Sequence, residues 1–161
     1  RLVDGEIQIL IDNNAADSSK DLSASSSEYK AIMPDGSIVD PGTAGTLKWD
    51  ATGSTGSGGI TLNTEVTSQS DGSTSANIDW RSITTESGVS VPALLHQLGI
   101  HPLASGYGVG RAYMRNVGER LPYRGGDRLS SSSAGVPAVN LYSPRSYVST
   151  NVGLRLACYE S

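Results

Sequence analysis

The sequence predicts an α+β fold rich in strands and loops, on three observations. Gly is high at 19 residues, Phe is absent and 17% of the 161 residues are charged, while 37% are hydrophobic, enough for a folded core. Short segments that alternate apolar and polar residues recur, each bounded by Gly, Pro, Asp or Ser. One segment alone carries a helical stripe between start and stop signals.

Residues 1–85 read as a β-rich N-terminal region, either a small domain of its own or an extension of the C-terminal one. "EIQILID" sets Ile7, Ile9 and Ile11 on one face of a strand, and "EYKAIM" comes next, closed by a "PDGS" turn. "GTLKWD" leads into the low-complexity "ATGSTGSGG", which reads as a flexible loop. "ITLNTEVT" puts Ile60, Leu62, Thr64 and Val66 on one side, "SDGST" is a further turn, and "ANIDWRSI" is a strand around Trp80. The helix lies in "SVPALLHQLGIHP". Pro92 suits its first turn, Leu94, Leu95 and Leu98 form its apolar stripe, and Gly99 suits a left-handed stop with Ile100 beside it. Beyond it, "GRAYMRNVGERLPYRGGDR" reads as a strand, a turn and a glycine-bearing corner. "AGVPAVNLY" and "NVGLRLACY" are strands. In the first, Val139 and Leu141 face one way, and Ala138, Asn140 and Tyr142 the other. In the second, Val152, Leu154, Leu156 and Cys158 share a face.

Charge and cysteine usage exclude several functions. Residues 1–100 carry 5 basic and 13 acidic side chains, whereas residues 101–161 carry 7 Arg, no Lys and 3 acids. These arginines are dispersed among Gly, Pro and apolar residues, a pattern suited to binding carbonyls and carboxylates within loops rather than nucleic acid. Cys158 stands alone, which excludes an intrachain disulfide and a cysteine-based zinc site. His96 and His101 are isolated from clustered carboxylates, and no nucleophile motif accompanies them, so neither a metal, a cofactor nor a catalytic residue is expected. No apolar run reaches the length of a membrane span, so membrane insertion is not expected. The chain opens on Arg1 rather than Met, as a piece of a longer protein would.

Four blocks then occur in one order: "GERLPYRGG" at 118–126, "AGVPAVNL" at 134–141, "PRS" at 144–146 and "NVGLRLA" at 151–157. Together they resemble the C-terminal module of the variable proteins diversified by retroelements, which have a C-type-lectin fold related to that of formylglycine-generating enzymes. The resemblance implies a lectin-like ligand-binding module over residues 86–161. Scaffold positions fall on Arg120, Arg124, Gly125, Gly126, Gly135, Arg145, Gly153 and Arg155. The variable, ligand-binding positions fall on Asp127, Leu129, Ser130, Ser133, Asn140, Tyr142, Ser143, Tyr147 and Ser149, with Ser146 and Asn151 at the edge of the set. The chain departs from the family at three positions where large aromatics are usual, having Arg128, Pro137 and Leu154. Trp49, Trp80 or Tyr113 is expected to fill the corner in their place.

The residue chemistry suits the same reading, since Tyr offers rigid contact area while Ser and Asn offer adaptable hydrogen bonds. What the resemblance implies is a non-enzymatic receptor-binding protein of a bacteriophage tail fibre, or a variable protein of a bacterial surface. It would sit on the virion or outside the cell and attach to a host cell-surface protein or glycan. Two alternatives stand beside it. A formylglycine-generating type of enzyme would use a cysteine pair, of which this chain has one member. A purely structural fibre segment would assemble as a homotrimer, as viral fibres often do.

Overall fold

The computed structural model describes residues 1–13, 16–54, 57–71, 76–103, 110–125 and 135–149, with the backbone alone for residues 18, 53, 54, 57 and 136. The described residues are mostly β and loop, and their one α-helix, α1, spans only Ala93–Gln97. The helical share expected of an α+β fold is therefore absent from them. The cause is local. Pro92 is extended and accepts from Leu95 N, while Gly99 takes φ +63° and its N–H reaches the His96 carbonyl at 2.9 Å. Ile100 N closes the helix end on Leu95 at 3.0 Å. Leu95 is buried and Leu94 partly so, but Leu98 lies beyond the last turn and is 42% exposed, which narrows the expected stripe.

Twelve strands arise in the described residues: β1 Leu2–Val3, β2 Glu6–Leu10, β3 Tyr29–Ile32, β4 Ile38–Val39, β5 Lys48–Ser54, β6 Ser57–Asn63, β7 Ala76–Asp79, β8 Thr84–Thr85, β9 Arg111–Met114, β10 Glu119–Arg120, β11 Tyr123–Gly125 and β12 Gly135–Leu141. The first sheet runs β10-β1-β2-β5-β6-β8, with β3 and β4 continuing from β2. Asp4 and Gly5, at φ 46° and 85°, join β1 to β2 as a tight hairpin turn that needs positive φ at both positions. A Cβ on Gly5 would stand 2.7 Å from a Val66 methyl and 2.9 Å from the Trp49 carbonyl, so no larger residue fits there. The "PDGS" turn forms as expected, with Gly36 at φ 87° and Asp35 accepting from Ser37 N at 2.9 Å.

Two strand expectations change. "ATGSTGSGG" is not a loop throughout: β5 and β6 pair from Lys48↔Asn63 to Ser54↔Ser57, leaving residues 55 and 56 between them. Gly and Ser weaken a strand without forbidding a pairing that tertiary contacts favour, so low complexity is a poor guide here. The strand expected around Trp80 ends at Asp79, whose carboxylate accepts from Arg81 N at 2.9 Å and caps a single 3-10 turn. Ile11 falls past the end of β2 and is 53% exposed.

The second sheet has the order β11-β12-β9-β7, and β12 lies parallel to β9. Its inner face buries Ala76, Ile78, Ala112, Met114, Val139 and Leu141 against Ile7, Ile32, Trp49, Ile60 and Leu62 of the first sheet, with Trp80 and Leu95 in the same cluster. Each fully buried aliphatic side chain contributes about 1.5–3 kcal/mol. One core therefore draws on residues from both halves of the chain, and β1 pairs with β10.

Two polar anchors lock this arrangement. Asn116 is fully buried, accepts from Ser70 N at 2.7 Å and donates to the carbonyls of Trp49 and Ser68 at 3.0 and 2.8 Å. Glu119 is gripped from two sides. Arg145 donates Nε and Nη2 to its two carboxylate oxygens at 2.8 and 2.7 Å, and Arg1 Nη1 donates at 2.8 Å. Arg145 also holds the Leu22 carbonyl and the Tyr29 hydroxyl, while Arg1 lies over the Tyr29 ring and bonds Gln8 and Ala24.

The Arg145 hydrogen bonds, with Arg1 adding to them, hold the Glu119 carboxyl at about 2 against an ordinary 4.5. A depressed native pKa contributes stability that is complete above about pH 4.5 and is lost as the pH falls towards 2. Glu119→Gln is expected to cost about 2 kcal/mol at pH 7 and to flatten that acid limb, as urea midpoints measured across the range will report.

Candidate functional site

The strongest candidate surface is the outer face of the second sheet. Because side chains alternate along a strand, burying Ala112 and Met114 turns Tyr113 and Arg115 outward, and burying Val139 and Leu141 turns Asn140 and Tyr142 outward. The register then lines up Tyr123, Asn140, Tyr113 and Asn77 as one row across all four strands. Each member of the row is half-buried.

Tyr142 comes directly after β12 and stands at the centre of an aromatic cluster. Its ring meets Tyr113 at 6.4 Å, Tyr123 at 6.3 Å and Tyr147 at 6.4 Å between centroids, each near 71–72°. Tyr123 and Tyr147 are parallel at 6.5 Å. Burial pushes the Tyr123 phenol up, and its neighbours Tyr142 and Tyr147 push it further, so this phenol stays uncharged at neutral pH. The Arg115 guanidinium lies 5.2 Å from the Tyr142 centroid, and its Nε is buried with no hydrogen-bond partner among the described residues. An unmade bond at a buried donor costs about 1–3 kcal/mol, which the sheet carries at this face.

The loop that presents Tyr147 is fixed by its own backbone. Tyr147 N donates to the Pro144 carbonyl at 3.0 Å, Leu121 N to that of Ser143 at 3.1 Å, and Arg120 Nη1 to that of Tyr142 at 3.2 Å. Arg145 ties the same loop to Glu119. Thus Arg120 and Arg145 sit beneath the cluster as anchors. Arg124 turns to the inner side, its guanidinium over the Trp80 ring at 5.9 Å and against Gly99. Gly125 occupies the bulge of β11 at φ 89° and pairs with Gly135.

Of the expected ligand-binding residues, Tyr142 and Asn140 are half-buried on the outer face, Ser146 and Tyr147 are exposed, and Ser149 is half-buried. Ser143 is a correction. It is 3% exposed, with its carbonyl accepting from Leu121 N and its side chain beside the Tyr123 phenol. Asp127, Leu129, Ser130, Ser133 and Asn151, and the scaffold positions Gly126, Gly153 and Arg155, lie outside the described residues. Tyr113, Tyr123 and Arg115 complete the cluster without being among the expected positions. The alternation in "RAYMR" carries the signal for Tyr113 and Arg115. Trp80 underlies Arg124, while the corner positions 128 and 154 lie outside the described residues.

The histidines are structural. His101 Nδ1 donates to the Pro102 carbonyl at 2.9 Å, leaving Nε2 to accept from Thr85 Oγ1 at 3.0 Å in the neutral ring. Burial lowers its pKa, and the ring stacks on Trp49 at 5.9 Å.

A concavity of about 530 Å³ opens between β2, the end of α1 and β11, lined by aliphatic residues such as Ile7, Ile9 and Leu98 and by Arg1, Gln8 and Arg124. Its size suits a small molecule, but its walls are chiefly aliphatic, and Arg1 and Gln8 are already bonded within the fold. The outer face is the richer site.

No protein-family model and no curated protein matches the chain. The site therefore rests on its own geometry.

The cluster also separates two tyrosines whose sequence surroundings are alike. Tyr142→Ala removes three ring contacts and is expected to cost about 1–2 kcal/mol. Tyr147→Ala, at the exposed edge, is expected to stay within about 0.5 kcal/mol, both by urea denaturation.

Proposed function

We propose that this chain is a receptor-binding module of the C-type-lectin kind, similar to the variable proteins diversified by retroelements, and that it serves as a phage tail-fibre tip or other host-attachment protein. Its place would be the virion or an outer cell surface, and its partner a host cell-surface protein or glycan. The observation that carries the reading is the cluster of four tyrosines on the solvent side of a sheet whose other side is core. Such a surface meets a partner with little loss of freedom. Tyr has few rotatable bonds, and the Arg145–Glu119 clamp orders the loop before contact.

A binding face of this kind requires no chemistry, in keeping with a non-enzymatic role. The single cysteine supports the same side of the comparison with formylglycine-generating enzymes, since a copper-binding pair needs two. A structural fibre segment would need no half-exposed aromatic cluster, and the cluster therefore favours recognition.

The test is adsorption of labelled protein to a panel of bacterial strains. On any strain that binds the parent chain, Tyr113→Ala and Tyr147→Ala should each reduce retention roughly tenfold while melting shifts little. Undiminished retention by both variants would remove the outer face from the binding surface.

A further inference from the structure

We infer that the outer face takes an acidic carbohydrate, whose carboxylate meets Arg115. This rests on the binding role proposed for the face and narrows it to one ligand class.

Among the described residues, the arginines around the cluster are engaged, with one exception. Arg111 donates Nε to the Asn77 side chain and Nη2 to the Asn77 carbonyl, Arg120 donates to the carbonyls of Val117 and Tyr142, and Arg145 is held by Glu119. The Arg115 side chain has no hydrogen-bonded or ion-paired partner among the described residues, and it lies against the ring of Tyr142. A planar guanidinium left in this state offers a fork that fits a carboxylate.

The hydrogen-bonding balance of the face points the same way. Asn140 Oδ1 accepts from Tyr142 N at 3.1 Å, and Asn77 Oδ1 accepts from Arg111. The acceptor ends of both amides are thus used, and their NH₂ ends remain to donate. With the Tyr113 hydroxyl and Arg115, the row presents donors between aromatic rings spaced by strand pairing, roughly 5 Å from one strand to the next. The complement is a molecule rich in acceptor oxygens, with apolar C–H faces to lie on rings and a negative group. A uronic or other carboxylated sugar has all three. The net charge of −4 opposes indiscriminate binding of polyanions, so any attraction must be local to this face.

The experiment measures binding of the full chain to immobilised polygalacturonate, neutral dextran and polyglutamate by biosensor. The chain is expected to prefer polygalacturonate. Arg115→Gln should weaken that binding roughly tenfold without lowering the melting temperature, because it breaks no internal side-chain hydrogen bond and removes a buried, unpartnered donor. Arg115→Lys should recover part of it, since charge is kept and the fork is lost. Raising salt from about 0.05 to 0.5 M should release polygalacturonate, which gives a reading of the parent chain even where the Gln variant folds poorly. Parent-like binding by Arg115→Gln, a preference for polyglutamate, or no binding to polygalacturonate overturns the inference. If bacterial adsorption still depends on Tyr113 and Tyr147 in that event, the binding face stands and only its ligand class falls.

Discussion

The carboxylate of Glu119 is the constraint on which the presented surface depends. It is one acidic group shared by Arg1 and Arg145, and those two arginines reach four parts of the chain: β2 through Gln8, the segment around Leu22 and Ala24, the Tyr29 ring, and the loop after β12. The carboxylate side chain is 21% exposed, so water only partly screens it, and bidentate geometry makes the Arg145 contact directional. Without it, the loop over residues 142–149 would lose its tie to Glu119 and lean on the backbone bonds to Leu121 and Pro144 and on Arg120. A loop held that way would have to be ordered anew whenever a partner arrived.

The second sheet turns that rigidity into a surface. Its inner residues are small or aliphatic and share one core with the first sheet, which sets the height and twist of the strands. Its outer residues are Tyr, Asn and Arg, whose ring contacts and amide bonds run across strands rather than along them. Parallel pairing of β12 with β9 brings Asn140 beside Tyr113, and antiparallel pairing with β11 brings Tyr123 to its other side. Recognition and folding thus use opposite sides of the same four strands. Substitution on the outer side is correspondingly cheap where a side chain stands at the rim, and costly at Tyr142, where three rings converge.

The legible part of the fold is local. The "PDGS" turn, the stop at Gly99 and the alternation of Val139 and Leu141 against Asn140 and Tyr142 arise from preferences acting over a few residues, and each is present in the structure. Asp4-Gly5 is an equally local hairpin signal. The low-complexity stretch before Ile60 misleads because composition reports intrinsic preference, whereas strand β5 is held by pairing along its whole length. At the site, Tyr142 and Tyr147 are legible through their neighbours Pro144 and Arg145, but Ser143 is buried where an exposed position is expected.

Which side chains share a face, and where the chain turns, are properties of the sequence alone, since both depend on spacing within one element. Only the tertiary structure decided which faces adjoin. Arg145 and Glu119 are 26 residues apart, Arg1 and Glu119 are 118 apart, and the four tyrosines come from three strands or their ends and one loop. Period-two alternation names the side of the sheet but is silent on the neighbouring strand. That choice belongs to burial and pairing summed over the whole core.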